Sequence, residues 1–283
     1  MIQYVSRKLL DEKKYDFCIE NSIQSRVYAF SWYLDIVADH WDVLVLNDYE
    51  AVMPLPWKQK VGLKYITQPY FCQQLGIFSL TTISEETQLE FIKKIPSKFL
   101  KVSLALNSQN MLIAQQVKKN LFVQLSKNHE TLCKNYSKGR KHAIKVAEKN
   151  QLIVAETSLQ SLIDIQKKLY QYEFSEEKLQ KLSMQLLRQQ KGTILGIFKD
   201  EVLLGGALFV LSTKRIVYLF SAFTELGREL QAASYLLNYM IKKNENSQLI
   251  FDFEGGNIPN MGKFYRSFGA EEETYSLVIN TLL

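Results

Sequence analysis

The chain has 283 residues, 47% hydrophobic and 23% charged, with a formal net charge of +6. That balance excludes the disordered class, and the length suits two domains of about 100–150 residues, each with its own core. No apolar run approaches the ~18 residues needed to span a bilayer, and Met1–Lys8 is not followed by an apolar stretch of signal-peptide length, so a cytoplasmic protein without a transmembrane segment is expected.

The first half opens with a helix near Ser25–Val37 that carries Trp32 and Tyr33. Strands Val43–Leu46 and Ala51–Trp57 follow, joined by the turn Asn47–Glu50 as a hairpin. Pro54 and Pro56 point to an edge strand or an early end. The polar, aromatic and proline-kinked segment Tyr65–Gly76 reads either as the lining of a groove or as a loop buttressing the core. Ser84–Ile95 reads as a helix, with acidic residues at its start and lysines at its end, as the macrodipole prefers. Strand Val102–Leu106, helix Gln109–Asn120 and strand Leu121–Leu125 complete this half.

The positive charge is local. Between Ser126 and Lys149 seven basic residues face only Glu130 and Glu148, a net +5 of the chain's +6. Lys134, Lys138, Lys141, Lys145 and Lys149 recur at helical spacing and share one face, with Ala143, Ile144 and Ala147 packing inward. The stripe reads as a solvated helix face or as a docking strip for a polyanion: coenzyme A phosphates, a tRNA acceptor arm or an acidic lipid surface. Only Tyr136 interleaves with it, which argues against an RNA-binding module built on base stacking.

Strand Leu152–Glu156 leads to helices Leu159–Tyr172 and Ser175–Gln190, the second with Ser175 as N-cap and acidic residues in its first turn. Three strands at hairpin spacing follow: Thr193–Lys199, Val202–Leu211 and Ile216–Phe223, with turns at Asp200-Glu201 and Thr213-Lys214-Arg215. Helix Gln231–Lys243, a strand opening at Leu249, a short helix and the strand Tyr275–Asn280 close the chain. Cys18, Cys72 and Cys133 lie far apart, and so do His40, His129 and His142, so neither a metal site nor a Ser-His-Asp triad is expected and the thiols read as core.

The densest information lies in Leu249–Ala270. An apolar run ends in Asp252 and Glu254, breaks at Gly255-Gly256, and is followed by a helix closing on Phe268-Gly269-Ala270. The glycines let the backbone turn and approach a ligand closely. The carboxylates sit where a strand empties into a crevice, the usual ligand position of open α/β sheets. At i and i+2 they would share a strand face, where like charges raise one pKa. One can serve as a base or bind an amine, or one can cap the amides of the following loop.

Phe251-Asp252-Phe253-Glu254-Gly255-Gly256, followed by Phe264-Tyr265-Arg266-Ser267-Phe268-Gly269, resembles the end of the GNAT acyltransferase superfamily and more closely its two-domain Fem-like branch, the peptidoglycan bridge aminoacyltransferase-like proteins. Those end roughly in Tyr-Asp-Phe-Gly-Gly, a loop, and Phe-Lys-x-x-Phe-Gly. The likeness is firm from Thr193 to Ala270, weaker from Tyr136 to Gly192 and general before that. Arg140–Ala147 loosely fits the family's basic helix and helps place the domains at 1–125 and 126–283. The resemblance implies an α/β (α+β) fold of tandem GNAT-like domains, each a mixed, mostly antiparallel sheet flanked by helices, with the reactive cleft in the second.

It also implies N-acyl or aminoacyl transfer from acyl-CoA or aminoacyl-tRNA to a small-molecule or peptide amine, with no covalently bound cofactor. The strand ending at Phe223 would offer backbone groups to the donor, and the helix start at Arg228, Gln231, Ala232 and Ala233 would cradle a pyrophosphate. Gln231 stands where the family has glycine. Tyr265 stands where Fem-like proteins have lysine, and matches a tyrosine that in many acetyltransferases protonates the leaving thiolate. Tyr265, Asp252 and Glu254 are therefore the catalytic candidates. Asn257, Lys263, Arg266, Lys138, Lys141 and Lys145 are the substrate-binding candidates, the three lysines for aminoacyl-tRNA along 134–149. The two departures keep a second reading in view: a GNAT-shaped ligand-binding or scaffold protein without catalysis.

Overall fold

The computed structural model describes residues 1–110, 116–169 and 174–281. Its contacts divide the chain into two units, Met1–Lys119 with the segment from Glu273 on, and Asn120–Glu272.

The first unit contains β1 (Ile2–Ser6), α1 (Glu12–Asn21), α2 (Ser31–Val37), β2 (His40–Leu46), β3 (Ala51–Lys60), β4 (Leu63–Thr67), β5 (Phe78–Ser79), α3 (Glu85–Lys93) and β6 (Phe99–Ala105). β1 and α1 precede the first helix expected from the sequence, which begins at Ser31 because Val27–Ala29 forms a separate 3-10 turn. Only Tyr15, Cys18 and Ile19 of α1 are buried, a narrow apolar stripe in a charged segment. Asp11 caps α1 by accepting from the Lys14 amide, and Ser84 caps α3 through the Thr87 amide.

The hairpin of β2 and β3 forms as expected, but β3 is not cut short, and among the described residues it is an edge only at 53–56. It continues to Lys60 and pairs with β4, and its start pairs with β5. Residues 53–56 have a strand on the β2 side only. Pro54 and Pro56, two apart, face the same way and can both aim their missing amide proton at the open side. β4 takes in Tyr65–Thr67, so the expected loop begins only after it. Beyond β4, Cys72, Gln74 and Leu75 are buried, and Gln74 accepts from the Ser108 amide. That stretch buttresses the core.

The second unit contains most of β7 (Gln116–Gln124), then α4 (His129–Lys134), α5 (Lys138–Lys149), β8 (Ile153–Glu156), α6 (Leu159–Leu169), α7 (Glu176–Arg188), β9 (Gly192–Lys199), β10 (Val202–Leu211), β11 (Arg215–Phe223), α8 (Glu225–Glu229), α9 (Ala232–Lys243), β12 (Ile250–Asp252) and α10 (Pro259–Arg266). The helix expected over Gln109–Asn120 does not form where it is described. Residues 116–120 are strand, the opening part of β7, ahead of Phe122–Gln124, which pair antiparallel with β12; residues 111–115 lie outside the described residues. The last expected residues of the helix over 159–172 lie outside them too.

Strand order in this unit is β7-β12-β11-β10-β9-β8, with β11 and β12 parallel and the other neighbours antiparallel. The turn Asp200-Glu201 joins β9 to β10 with both residues at positive φ, 48° and 64°, the twist a two-residue hairpin needs. α9 buries Leu236, Leu237, Met240 and Ile241, and Phe251 and Phe253 are also fully buried. Each such side chain contributes roughly 1.5–3 kcal/mol. The final strand, β13 (Glu271–Thr281), pairs antiparallel with β6 and so belongs to the first unit from Glu273 on. This corrects the expected domains: the boundary falls after Lys119, and the closing strand is not part of the second domain.

Candidate active site

β11 and β12 share three rungs, from Arg215↔Ile250 to Val217↔Asp252. β12 then ends, whereas β11 continues to Phe223, still paired with β10. Past the last rung the two chains part, and among the described residues no strand pairs with Leu219–Phe223 on its β12 side. The register between β10 and β11 also slips here, from Leu208↔Phe220 to Phe209↔Tyr218, a bulge at Leu219 that bends the strand.

Asp252 closes the joint. It is 1% exposed, accepts from Arg215 Nη1 at 2.6 Å and Asn120 Nδ2 at 2.9 Å, and takes the Glu254 amide at 3.1 Å. This is the capping alternative left open by the sequence. The expected sharing of one strand face by Asp252 and Glu254 does not occur. β12 stops at Asp252 and Glu254 has φ 55°, so strand alternation has ended and Glu254 is only half-buried. Arg215, read as a turn residue, is the first residue of β11; its role depends on a partner 37 positions away, which no local pattern could reveal.

Tyr265 lies on the inner side of α10, 2% exposed. It stacks on Phe253 at 4.9 Å between centroids and meets Tyr218 edge-on at 6.3 Å. Gly255, at φ 57°, passes so close that a Cβ there would sit 3.2 Å from the Tyr265 ring. Burial pushes the phenol well above its usual range, and the charges of Tyr218 and Glu254 add to this. Among the described residues its hydroxyl makes no hydrogen bond. The structure thus gathers Tyr265, Glu254 and the end of β12 around the point where β11 and β12 separate.

The expected cofactor cradle is partly rebuilt. α8 intervenes between β11 and α9, and its amides from Arg228 to Gln231 are used internally. Phe223 and Ala232 are buried, Ala233 is half-buried and Arg228 is exposed. Gln231 precedes α9 at φ 62° and ψ 30°, the left-handed conformation that glycine adopts most readily. Its side chain folds back, donating to the Arg228 carbonyl at 3.3 Å and accepting from Ser234 Oγ at 3.2 Å. The opening amides of α9 have no side-chain cap.

Arg140, a basic residue of the same segment, lies apart from the lysine face. It is 8% exposed, lies over the rings of Phe264 at 4.1 Å and Phe268 at 4.6 Å, and donates to Ser267 Oγ at 2.9 Å and to Ser234 Oγ. Among the described residues no carboxylate pairs with it, and burial lowers its pKa to about 10. Its spacing of four and seven from Ile144 and Ala147 puts it on the inward face of the helix.

The lysine stripe is split. Lys134 ends α4, a break at 135–137 follows, and Lys138, Lys141, Lys145 and Lys149 stand exposed on α5, so the single helix expected over 134–149 is corrected to two. The Lys141 ammonium reaches the Lys134 carbonyl at 3.2 Å. Asn257 and Lys263 are exposed, and Arg266 is paired with Glu272 at 2.9 Å.

Comparison with solved structures finds FemX at a TM-score of 0.71 and 12% identity, covering 99% of this chain and 98% of that one. It also finds L-PGS from Bacillus licheniformis at 0.56 and 13%, covering 96% and 92%, and a tandem GNAT protein from the clavulanic acid biosynthesis pathway at 0.51 and 8%, covering 98% and 97%. No protein-family model matches the sequence, and no curated protein matches it. At these identities the likeness is one of fold alone: the chain shares the fold of FemX and of the tandem GNAT protein.

Proposed function

We propose that the protein transfers an aminoacyl group from aminoacyl-tRNA to an amine acceptor at the parting of β11 and β12. The observation that carries this reading is the ladder ending at Val217↔Asp252 while β11 runs on, with Tyr265 and Glu254 beside the break. The main-chain edge of β11 beyond its last rung with β12, from Leu219 to Phe223, supplies donors and acceptors for an extended donor segment. Glu254, half-exposed, takes a proton from the acceptor ammonium. The amine then attacks the ester carbonyl carbon, the C–O bond to the ribose breaks as the Tyr265 phenol gives its proton to the departing oxygen, and the second proton, lost by the nitrogen as the amide forms, restores the phenol. Its raised pKa keeps it protonated for that step.

Gln231 directs the choice of donor. Its folded-back side chain lies where a coenzyme A pyrophosphate would approach the first turn of α9. The exposed lysines of α5 suit the phosphate backbone of a tRNA instead. The peptide-like amine acceptor follows from the Fem resemblance.

The test is a pair of binding measurements followed by a product assay. Charged tRNA should bind with a strong salt dependence, and Lys141→Ala should reduce the salt slope by about one. Acetyl-coenzyme A should leave the melting temperature unchanged. Mass spectrometry of a panel of amines incubated with charged tRNA should show the aminoacyl mass added, and Tyr265→Phe should abolish it. A thermal shift with acetyl-coenzyme A and an acetylated product would replace the donor. A response to neither donor, with Tyr265→Phe and Glu254→Gln harmless in cells, would favour the non-catalytic scaffold, which the full commitment of Asp252 to Arg215 and Asn120 also supports.

A further inference from the structure

We propose that the first unit carries a docking surface for an anionic lipid bilayer, built by the β3–β4 hairpin and the sheet face beside it; this stands apart from the transfer reaction. The hairpin turns through Val61-Gly62, between the last rung Lys60↔Leu63. Val61 has φ 49° and Gly62 φ 79°. Such a turn suits Asn-Gly, and a β-branched residue at positive φ is a true outlier. Val61 is the only β-branched residue among the described ones in that conformation. It is also 91% exposed, so no packing inside the chain explains it. A strained, apolar and fully presented tip points to something outside the chain that receives it.

The neighbouring surface continues the pattern. Paired strand residues project to one face, and the register puts Lys60 with Leu63 and Tyr65 with Lys101. Leu63 is 57% exposed, and with Tyr65 and Leu100 it lines a shallow, mostly apolar concavity of about 470 Å³. Lys64 and Lys101 also line it, and no carboxylate does. Among the described residues Lys60 and Lys101 have no ion-pair partner. An apolar tip and groove edged by unpaired lysines complement a bilayer with anionic headgroups: apolar side chains enter the acyl boundary while ammonium groups stay at the phosphates. Each lysine near such a surface adds about fivefold to binding. The lack of acidic residues around the groove disfavours a basic partner.

The full-length protein is to be sedimented with vesicles of phosphatidylcholine alone and with vesicles of equal parts phosphatidylcholine and phosphatidylglycerol. Partitioning at least about tenfold stronger onto the anionic vesicles, weakened by salt, is expected from two unpaired lysines. Leu63→Asp and Lys101→Glu should each abolish most of that difference. Val61→Asn separates binding from folding: it relieves the turn, so the melting temperature should rise by about 2–4 °C, yet vesicle binding should fall. Equal binding to both vesicle types, or variants that bind like the parent, would overturn the proposal. So would a concentration-dependent dimer abolished by Leu63→Asp without any lipid preference, which would make the face a contact between copies.

Discussion

Arg215 and Asp252 form a buried ion pair at 2.6 Å that joins β11 to β12 within the three rungs they share, just before the two chains separate. The side chains are 7% and 2% exposed, and Asn120 and the Glu254 amide both donate to the other oxygen of the carboxylate, Oδ1. The opening at the candidate site therefore begins at a clamp.

Removing one partner strands the other charge. Arg215→Ala is expected to destabilise the protein by about 3–5 kcal/mol, read from urea unfolding with the slope checked for constancy. Asp252→Asn should cost a similar amount, and the double variant should cost far less than the sum of the two. Additive losses would mean that the pair is not a unit.

Tyr265→Phe removes a hydroxyl with no hydrogen bond to lose, so its stability should stay within about 1 kcal/mol of the parent. Transfer rate should fall by about 10²–10⁴. A variant with unchanged rate would leave Tyr265 as a packing residue against Phe253.

Burial raises the pKa of Tyr15, Tyr136 and Tyr265 above the ordinary value of 10.0. Above that pH the unfolded chain releases protons that the folded chain still holds. The stability from these phenols is thus complete below pH 10 and is lost as pH rises towards the folded values. Phenolate absorbance should appear together with unfolding rather than before it. Titration of all fifteen tyrosines in a still-folded protein would contradict this.

Arg140 is a desolvated cation held by two rings and two hydroxyls. Arg140→Met keeps the stack and removes the charge, so stability should hold or rise by about 1 kcal/mol. Both hydroxyls keep another partner, Ser234 at Gln231 and Ser267 at the Phe264 carbonyl. If that variant unfolds at lower urea, the guanidinium pins α5 to α9 and α10 more firmly than its buried charge costs.

Gln231→Gly should relax the left-handed residue and uncover the first turn of α9. Melting temperature should stay within about 2–4 °C of the parent, and the protein should gain a thermal shift with acetyl-coenzyme A that the parent lacks. No gain would mean that the amides of α9 are blocked by something other than the glutamine.

Much of the second unit was legible in the residues. Amphipathic helices with their own caps, such as α7 from Ser175, and strands separated by turn residues, such as β9 to β11, declare themselves within a short window, because their periodicity and hydrogen bonds are local. The segment from Phe251 to Gly269 also carried enough ordered identity to suggest the fold. Other elements were hidden. Residues 116–120 read as the end of a helix, yet they open β7, whose later residues Phe122–Gln124 pair with β12, and Pro54 and Pro56 look like strand breakers until one side of β3 is seen to be open.

What the sequence alone determined is the succession of elements in the second half, the concentration of positive charge before residue 150 and the candidate tyrosine. The tertiary structure decided which charges count. It tied Asp252 to Arg215 and Asn120, set Arg140 between two aromatic rings, and gave the last strand to the first unit. Each of these depends on partners brought together from distant parts of the chain, and burial multiplies the strength of such pairings in a way that no spacing of neighbours along the sequence encodes.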